Sequence, residues 1–288
     1  DEEEVKDLRA SLKGELQQRA FGAAVRLEVA DNCSEEMANF LLQHFHLDAD
    51  DLYRTPGIVN LVRLMQVPDW VHRPHLNYEP FVPGLPKALQ KRRQIFAAIR
   101  SQDILLHHPF QSFAPVIDLL RTAADDPQVL AIKMTVYRTG TDSVLMEHLL
   151  RAAQKGKEVT VVLELMARFD EEANIGWANR LEEVGAHVVY GVFGYKTHAK
   201  LLMVVRREED GLRHYVHLGT GNYHPRTTRF YTDFGLLTSN AEIGQDVATV
   251  FQQLTGLGRV TELRHLWQAP FTLQPNVVAA IKREAEIA

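Results

Sequence analysis

Tyr195-Lys196-Thr197-His198-Ala199-Lys200, followed by the apolar run Leu201 to Val205, is the stretch that decides the fold. A strand over 198–205 would turn alternate side chains to opposite faces. We therefore expect His198 and Lys200 side by side, with Leu202 and Val204 continuing the same face inward. Gly219-Thr220-Gly221-Asn222 follows after a polar turn, and its glycines would let backbone N–H groups and an amide approach the same place. A titratable nucleophile, a fixed positive charge and such a loop together predict a histidine site that handles phosphate.

The composition limits the class of protein. The chain has 288 residues, 45% of them hydrophobic and 24% charged, which is enough for one large or two ordinary domains with buried cores. Its one cysteine, Cys33, excludes internal disulfides and a cysteine-based metal cluster. We expect a cytoplasmic protein, with association at a membrane surface left open. No apolar run approaches the roughly 18 residues of a membrane span, and no signal peptide is evident.

The net charge restricts the partners. A formal charge of -5 gives no global field that would draw the chain onto nucleic acid or anionic lipid. An anionic substrate would have to be held by local cations. The chain begins Asp1-Glu2-Glu3-Glu4 inside a charged helical pattern, and we expect a fragment of a longer protein.

The first part of the chain predicts a small α+β unit. Apolar spacing predicts a helix over 3–19, and alternation predicts a strand over 21–29. Ser34, followed by two glutamates, is a predicted N-cap for a helix to about His46. A short strand over 51–54 and a short helix over 58–65 follow. The proline-rich stretch 67–86 predicts an inter-domain connection without regular structure.

Strands and helices then alternate. The predicted strands are 104–107, 129–137, 159–165, 187–190, 200–205, 214–218 and 233–238. The predicted helices are 89–101, 113–123, 143–155, 170–185, 243–254 and 277–286, with a polar reversal over 206–213 between two strands. This alternation predicts an α/β sandwich around a mixed sheet.

Two arginines follow neighbouring predicted strands. Tyr137-Arg138 ends one strand, and Arg168 lies in Ala167 to Asn174 after the next. Ligands of open α/β sheets collect at the carboxyl ends of strands, so two guanidinium groups there suit a phosphate clamp. The alternative is that Arg168 forms an ordinary ion pair with the acidic residues 170–172 at a solvated helix start.

His198-Ala199-Lys200 with the later Gly-Thr-Gly-Asn is similar to half of the phospholipase D signature, in which a histidine becomes phosphorylated. Phospholipase D enzymes carry an aspartate seven residues after that histidine. Val205 occupies this position here, which favours another phosphoryl transfer over diesterase chemistry.

Five blocks in order resemble the first catalytic domain of the polyphosphate kinase family, ATP:polyphosphate phosphotransferases with a phospholipase D-like fold. They are Asp103 to Phe110, Ala131 to Arg138, Ala167 to Asn174, Lys196 to Lys200 and Gly219 to Asp233. The resemblance implies three parts of the chain. Residues 1–84 are the end of a head domain, 85–265 are the first catalytic domain, and 266–288 are the start of a second catalytic domain.

The resemblance also implies roles. His198 is the phosphohistidine that takes the γ-phosphoryl group of ATP and passes it to polyphosphate. Arg138 and Arg168 hold phosphate beside Mg²⁺, and Tyr231 lies at the nucleotide base. From the residues themselves, Lys200 and Asn222 are expected to bind phosphate oxygens. The family's second essential histidine, a further arginine and an N-terminal asparagine have no counterpart here.

The chemistry agrees with these residues. A neutral imidazole, available near pH 7, attacks phosphorus and divides one hard transfer into two easier ones. Arginine cannot ligate a metal, so we expect Mg²⁺ to be held through phosphate or water, with Glu164 a less favoured acidic ligand. ATP, ADP and inorganic polyphosphate are the implied partners, without nucleic acid, and the full-length protein is expected to be a homo-oligomer.

Two alternatives stay open. The chain could be half of a phospholipase D-like phosphodiesterase that acts on lipid or nucleic acid as a dimer of half-sites. It could also be a fragment that binds phosphate chains without turnover.

The other histidines and several aromatic residues have plain structural interpretations. His107-His108 predicts a structural turn, and His214 and His217 predict packed or hydrogen-bonded side chains. His224 is a candidate supporting residue beside the site. The predicted aromatic core residues are Trp177, Phe193 and Phe234.

Overall fold

The computed structural model describes residues 22–90, 94–138, 140–164, 171–191, 195–256 and 262–287. The chain divides into two compact units, Asp1–Phe81 and Val82–Ala288. The helix predicted over 3–19 lies outside the described residues. The domain boundaries expected near 84 and 265 stay predictions.

The first unit contains a parallel strand pair joined by a helix. β1 is Leu27–Ala30, α1 is Glu35–Phe45 and β2 is Leu52–Thr55, with Leu27 opposite Leu52. The Ser34 hydroxyl accepts the N–H of Met37 at 3.2 Å, which confirms the predicted N-cap. β1 is shorter than the predicted strand because its partner β2 has only four residues to pair with.

Short helical turns follow the strand pair. The 3₁₀ turns of this unit are Ala49–Asp51, Leu61–Gln66 and Pro74–Leu76, and one α-helical turn, α2, is Val67–Trp70. The expectation of no regular structure from residue 67 onward was therefore wrong at its start. Pro68 stands in the first turn of α2, where a missing N–H removes no helical hydrogen bond.

A mixed sheet forms the centre of the second unit. Its strands are β3 Ile104–His108, β4 Val129–Val136, β5 Glu158–Leu163, β6 His187–Val189, β7 Lys200–Glu208, β8 Gly211–Gly219 and β9 Asp233–Thr238. In the described residues the strand order is β3-β9-β8-β7-β4-β5-β6. β4, β5 and β6 run parallel, whereas the other neighbouring pairs are antiparallel. The predicted α/β class with a mixed sheet is confirmed.

The second unit also contains helices. They are α3 Lys87–Gln90, α4 Ile95–Ser101, α5 Ala114–Asp125, α6 Val144–Gln154, α7 Glu171–Glu183, α8 Ala241–Leu254 and α9 Leu273–Ile287, and the 3₁₀ turn Thr227–Arg229 lies between β8 and β9. α4 to α7 pack side by side along the sheet, and α8 packs against β7 and β8. Leu201 and Met203 pack against Phe251 of α8, while the alternate residues Leu202 and Val204 are fully buried as well. Both faces of β7 are therefore in the core.

The reversal predicted over 206–213 is present but shorter than expected, a turn over residues 209–210. β7 and β8 pair through this stretch, and Glu208 lies opposite Gly211. Arg206 forms ion pairs with Asp126 at 2.9 Å and with Glu208 at 2.8 Å. These partners neutralise a charged strand end that would otherwise favour a loop.

Among the described helices, none combines the length and the apolar side chains that a membrane crossing needs.

Candidate active site

The sheet topology brings four strand ends to one edge. β7 runs antiparallel to β4 and to β8, and β8 runs antiparallel to β9. β4 and β8 therefore end where β7 and β9 begin. A pocket of about 300 Å³ opens at this edge. Its lining is formed by Arg138, His198, Lys200, Thr220, Gly221, Asn222, His224, Thr227, Tyr231 and Asp233.

The pocket gathers most of the residues expected from the sequence. His198, Arg138, Lys200, Asn222 and Tyr231 all line it. Arg168 lies outside the described residues, so a clamp of two arginines stays a prediction. The roles of all of these residues also stay predictions.

Several lining residues were not expected as ligands. Thr220 and Gly221 belong to the quoted glycine-rich loop, which was the available signal for them. Thr227 and Asp233 lie in the block Gly219 to Asp233, but nothing in that block marked these two residues as part of the site. Asp233 reaches the pocket because β9 begins beside the end of β8, a matter of strand pairing that the sequence does not show.

His198 lies just before β7, which begins at Lys200. The expected strand alternation of His198 and Lys200 was therefore wrong: His198 is exposed, whereas Lys200 is 6% exposed. The Lys200 ammonium donates to the carbonyl oxygen of His198 at 2.5 Å. The side chains of His198 and Lys200 nevertheless line the same pocket.

Side chains of β4 and of the end of β5 hold the segment that carries His198. The Thr135 hydroxyl donates to the carbonyl of Ala199 at 2.7 Å and accepts the N–H of Leu201 at 2.9 Å. The Glu164 carboxylate accepts the N–H of Thr197 at 2.9 Å. These bonds take the place of the β4–β7 ladder, whose register ends at Met134 opposite Leu202.

Burial and nearby cations set the charge state of the site. Partial burial of the His198 ring lowers its pKa below the ordinary value, and the positive charges of Lys200, Arg138 and Lys196 lower it further. Burial lowers the pKa of Lys200 to about 8, although the charge of Asp233 opposes this shift. The lowered pKa favours the neutral form of the His198 ring.

The glycine-rich loop is tied to the start of β9. The Thr220 hydroxyl donates to Asp233 Oδ1 at 3.0 Å and accepts the N–H of Phe234 at 2.9 Å. A Cβ atom at Gly221 would collide with the Asp233 carboxylate. Residue 221 must therefore be glycine for the loop to approach β9 this closely.

Two polar atoms at the pocket are buried without a hydrogen-bond partner in the described part of the chain. They are Nε of Arg138 and Oδ1 of Asn222. Buried polar groups are normally paired, so a bound ligand is a natural partner for both atoms. Among the described residues, Arg138 and Lys200 face one lining carboxylate, that of Asp233, and this balance favours an anion.

The expected structural roles of other histidines agree with their contacts. His217 is buried, its Nδ1 lies 2.9 Å from the Tyr223 hydroxyl, and burial with the nearby His108 lowers its pKa to about 3. His224 Nδ1 accepts the N–H groups of Arg226 and Thr227 at 3.2 and 3.4 Å. His224 thereby supports the loop whose residues line the pocket.

The three aromatic residues predicted to lie in the core had different outcomes. Trp177 is buried and donates to the carbonyl of Gly140 at 2.9 Å. Phe234 is 48% exposed and stacks on His107 with ring centroids 4.6 Å apart, so its assignment to the core was wrong. Phe193 lies outside the described residues.

The described residues contain no cluster of three or more histidine, cysteine or acidic side chains that could hold a metal ion. Glu164 already accepts the Thr197 N–H, which leaves Asp233 as the acidic side chain of the pocket lining. These residues do not form a metal site by themselves. A cation would need further ligands from water or from a bound phosphate.

Comparison with known sequence families identifies the family of this chain. The profile described as polyphosphate kinase C-terminal domain 1 matches residues 94–260, and the polyphosphate kinase middle domain matches residues 1–67. The chain belongs to the polyphosphate kinase family. The family resemblance read from the five sequence blocks is confirmed.

Individual members of the polyphosphate kinase family agree with this assignment. The chain is 57% identical over 290 residues to a polyphosphate kinase of Burkholderia vietnamiensis and 56% identical over 286 residues to one of Neisseria gonorrhoeae. Each match covers 99% of this chain and 42% of the relative. The crystal structure of polyphosphate kinase from Porphyromonas gingivalis superposes with a TM-score of 0.78 at 30% identity, covering 92% of this chain and 40% of that one.

Proposed function

We propose that this chain is part of a polyphosphate kinase that transfers the γ-phosphoryl group of ATP reversibly to the end of inorganic polyphosphate. The observation that carries the proposal is the pocket where His198, Arg138 and Lys200 meet the glycine-rich loop at one sheet edge. Family membership supports the same reaction. Because the chain spans 42% of its curated relatives, the activity belongs to the full-length protein.

The transfer would run in two steps through His198. A ring nitrogen of neutral His198 attacks the γ-phosphorus of ATP, so that a P–N bond forms as the P–O bond to ADP breaks and ADP leaves with the electron pair. A terminal oxygen of polyphosphate then attacks the same phosphorus, and the P–N bond breaks. The lowered pKa of His198 keeps its ring free of a proton for the first step.

The surrounding cations would stabilise the transferred group. Arg138 and Lys200 offer donors for the equatorial oxygens, and the buried Nε of Arg138 would gain the partner that it lacks. We assign Arg168 the same task. Asn222 would orient a phosphate-bound group, and Tyr231, which is exposed at the rim, would contact the base. Mg²⁺, held by phosphate oxygens and water, would neutralise the charge of the nucleotide.

Position 205 favours this transfer over the phosphodiesterase alternative. Val205 is partly buried against the apolar cluster that includes Val216 and Phe251, and it does not line the pocket. No acidic side chain stands at the position that the phospholipase D signature requires. The alternative of a phosphate-binding fragment without turnover is decided by the experiment below. Homo-oligomerisation and the absence of nucleic acid remain expectations.

The test is phosphoryl transfer to His198. The chain is incubated with γ-labelled ATP and Mg²⁺, and the protein is examined for an acid-labile, base-stable phosphate, with His198→Ala as the control. Label in the unsubstituted chain alone supports the proposal for this half of the site. Absence of label from a folded chain that still binds ATP would leave the fragment alternative.

A further inference from the structure

The backbone that carries His198 is not part of the sheet. Residues 196–199 form no strand, and β7 begins at Lys200. His198 and Ala199 are exposed, whereas the flanking Thr197 and Lys200 are buried. A loop segment of this kind can adopt many positions unless other groups restrain it. Its restraint therefore comes from outside the β4–β7 ladder.

Two buried side chains supply that restraint. Thr135, 1% exposed at the end of β4, holds Ala199 and Leu201 through one hydroxyl. Glu164, 5% exposed just after β5, holds Thr197 through its carboxylate. The bonds fall on both sides of His198 along the chain. They therefore fix where the imidazole leaves the backbone.

The two anchoring residues are themselves held firmly. Thr135 lies in the parallel pairing of β4 with β5, opposite Val162. The N–H of Glu164 donates to the carbonyl of Val136 at 2.9 Å, and its own carbonyl accepts the side-chain amide of Asn174 at 2.9 Å. The restraint thus connects the His198 segment to the rigid centre of the sheet.

We propose that Thr135 and Glu164 are positioning residues that hold His198 in line for phosphoryl transfer, with Glu164 acting as a hydrogen-bond acceptor and not as a metal ligand. The proposal relies on the proposed function in one respect, that His198 is the nucleophile. Reacting groups must be aligned closely, and a displacement of about 1 Å can lower a rate by about 100-fold. Loss of either anchor should therefore reduce transfer more than binding.

Thr135→Val tests the first anchor, because valine keeps the buried volume and strand preference while it removes the donor and acceptor. Thr135→Ser retains the hydroxyl and should restore the unsubstituted behaviour. Thr160→Val is the matched control, a buried threonine of β5 whose hydroxyl makes no bond to residues 196–201 among those described. We expect Thr135→Val to slow labelling of His198 about ten-fold or more, with the Kd for ATP changed less than about three-fold.

A measurement without substrate separates this inference from the proposed function. NMR titration of the His198 ring gives its pKa, which is lowered by burial and by Lys200, Arg138 and Lys196. Thr135→Val should raise this pKa toward the ordinary value of about 6.5, because a displaced ring leaves those groups. Thr135→Ser and Thr160→Val should leave it unchanged. Equal values in all folded variants would overturn the role of Thr135.

Glu164 offers a second test if Thr135→Val fails to fold. Glu164→Gln keeps a side-chain oxygen that can accept the Thr197 N–H, whereas Glu164→Ala removes it. Hydrogen exchange of the Thr197 amide should stay slow in Glu164→Gln and become fast in Glu164→Ala. The labelling rate should follow the same order.

Full loss of labelling in Glu164→Gln, with the Thr197 amide still protected, would show that the negative charge is needed and would overturn the acceptor role. If the unsubstituted chain takes no label, the proposed function fails for this chain, while the pKa and exchange measurements still decide the inference.

Discussion

The environment of His198 suits its proposed role as a nucleophile near neutral pH. Partial burial and three nearby cations lower its pKa, so the ring stays neutral to a lower pH than an isolated histidine does. The proposed role of Lys200 has the opposite requirement, because only the protonated side chain would neutralise phosphate. Its pKa of about 8 places the loss of that charge just above neutrality. The proposed site would therefore be competent between these two titrations.

The pH dependence of His198 labelling follows from these two groups. The rate should rise with pH through the pKa of His198, below 6.5, because the neutral ring forms above it. The rate should fall as pH rises through about 8, where Lys200 loses its proton. The profile of the rate at subsaturating ATP checks this, since it reports the ligand-free protein.

Lys200→Arg separates the two limbs of that profile. Arginine keeps its charge at every pH used. The alkaline limb should therefore shift to higher pH, while the acidic limb stays at the same pH. An alkaline limb that remains near pH 8 in a folded Lys200→Arg variant would contradict its assignment to Lys200.

At the level of elements, the site depends on how the ends of β4 and β5 are joined. Asn174, fully buried in α7, donates to the carbonyls of Tyr137 at 3.0 Å and Glu164 at 2.9 Å. Tyr137 and Glu164 directly follow the parallel strands β4 and β5, at the point where the pairing of these two strands stops. One helix side chain therefore fixes both the residue before Arg138 and the anchor of the His198 segment.

Asn174→Ala should lower the free energy of unfolding by about 2 kcal/mol or more, because two buried carbonyls lose their donor. Urea denaturation measures this change. Glu183→Ala is the control, since it shortens a side chain at an exposed position of α7 and should change stability by less than about 0.5 kcal/mol. Equal effects of the two substitutions would show that Asn174 does not join the strand ends.

The elements also show what could be predicted from the sequence. Alternation placed β9 at Asp233–Thr238, and the capping Ser34 preceded its helix as expected. Local patterns decide such features. The hydroxyl of Thr135 meets Ala199, 64 positions later in the chain, and no local pattern marks it. The His198 strand prediction failed for that reason, because a side chain replaced the expected ladder.

Charge at the level of the whole molecule agrees with a local mode of recognition. The chain carries a net charge of -5, yet its pocket presents Arg138 and Lys200 against one lining carboxylate. Attraction of the proposed polyanionic substrate would therefore depend on the cations at the sheet edge and not on a field of the entire chain. All lining residues of this pocket lie between positions 138 and 233, within the second compact unit.

This placement predicts that residues 82–288 alone bind tripolyphosphate with a Kd within about three-fold of that of the 288-residue chain. The second unit contains its own sheet, helices and buried core, so it has the elements that an independently folded domain requires. Isothermal titration of the two proteins measures both values, and Lys200→Ala in each is the matched control for binding at the pocket. A folded 82–288 fragment that binds much more weakly would show that the first unit contributes to phosphate binding. Equal binding, lost in both Lys200→Ala variants, would assign phosphate recognition by this chain to the second unit.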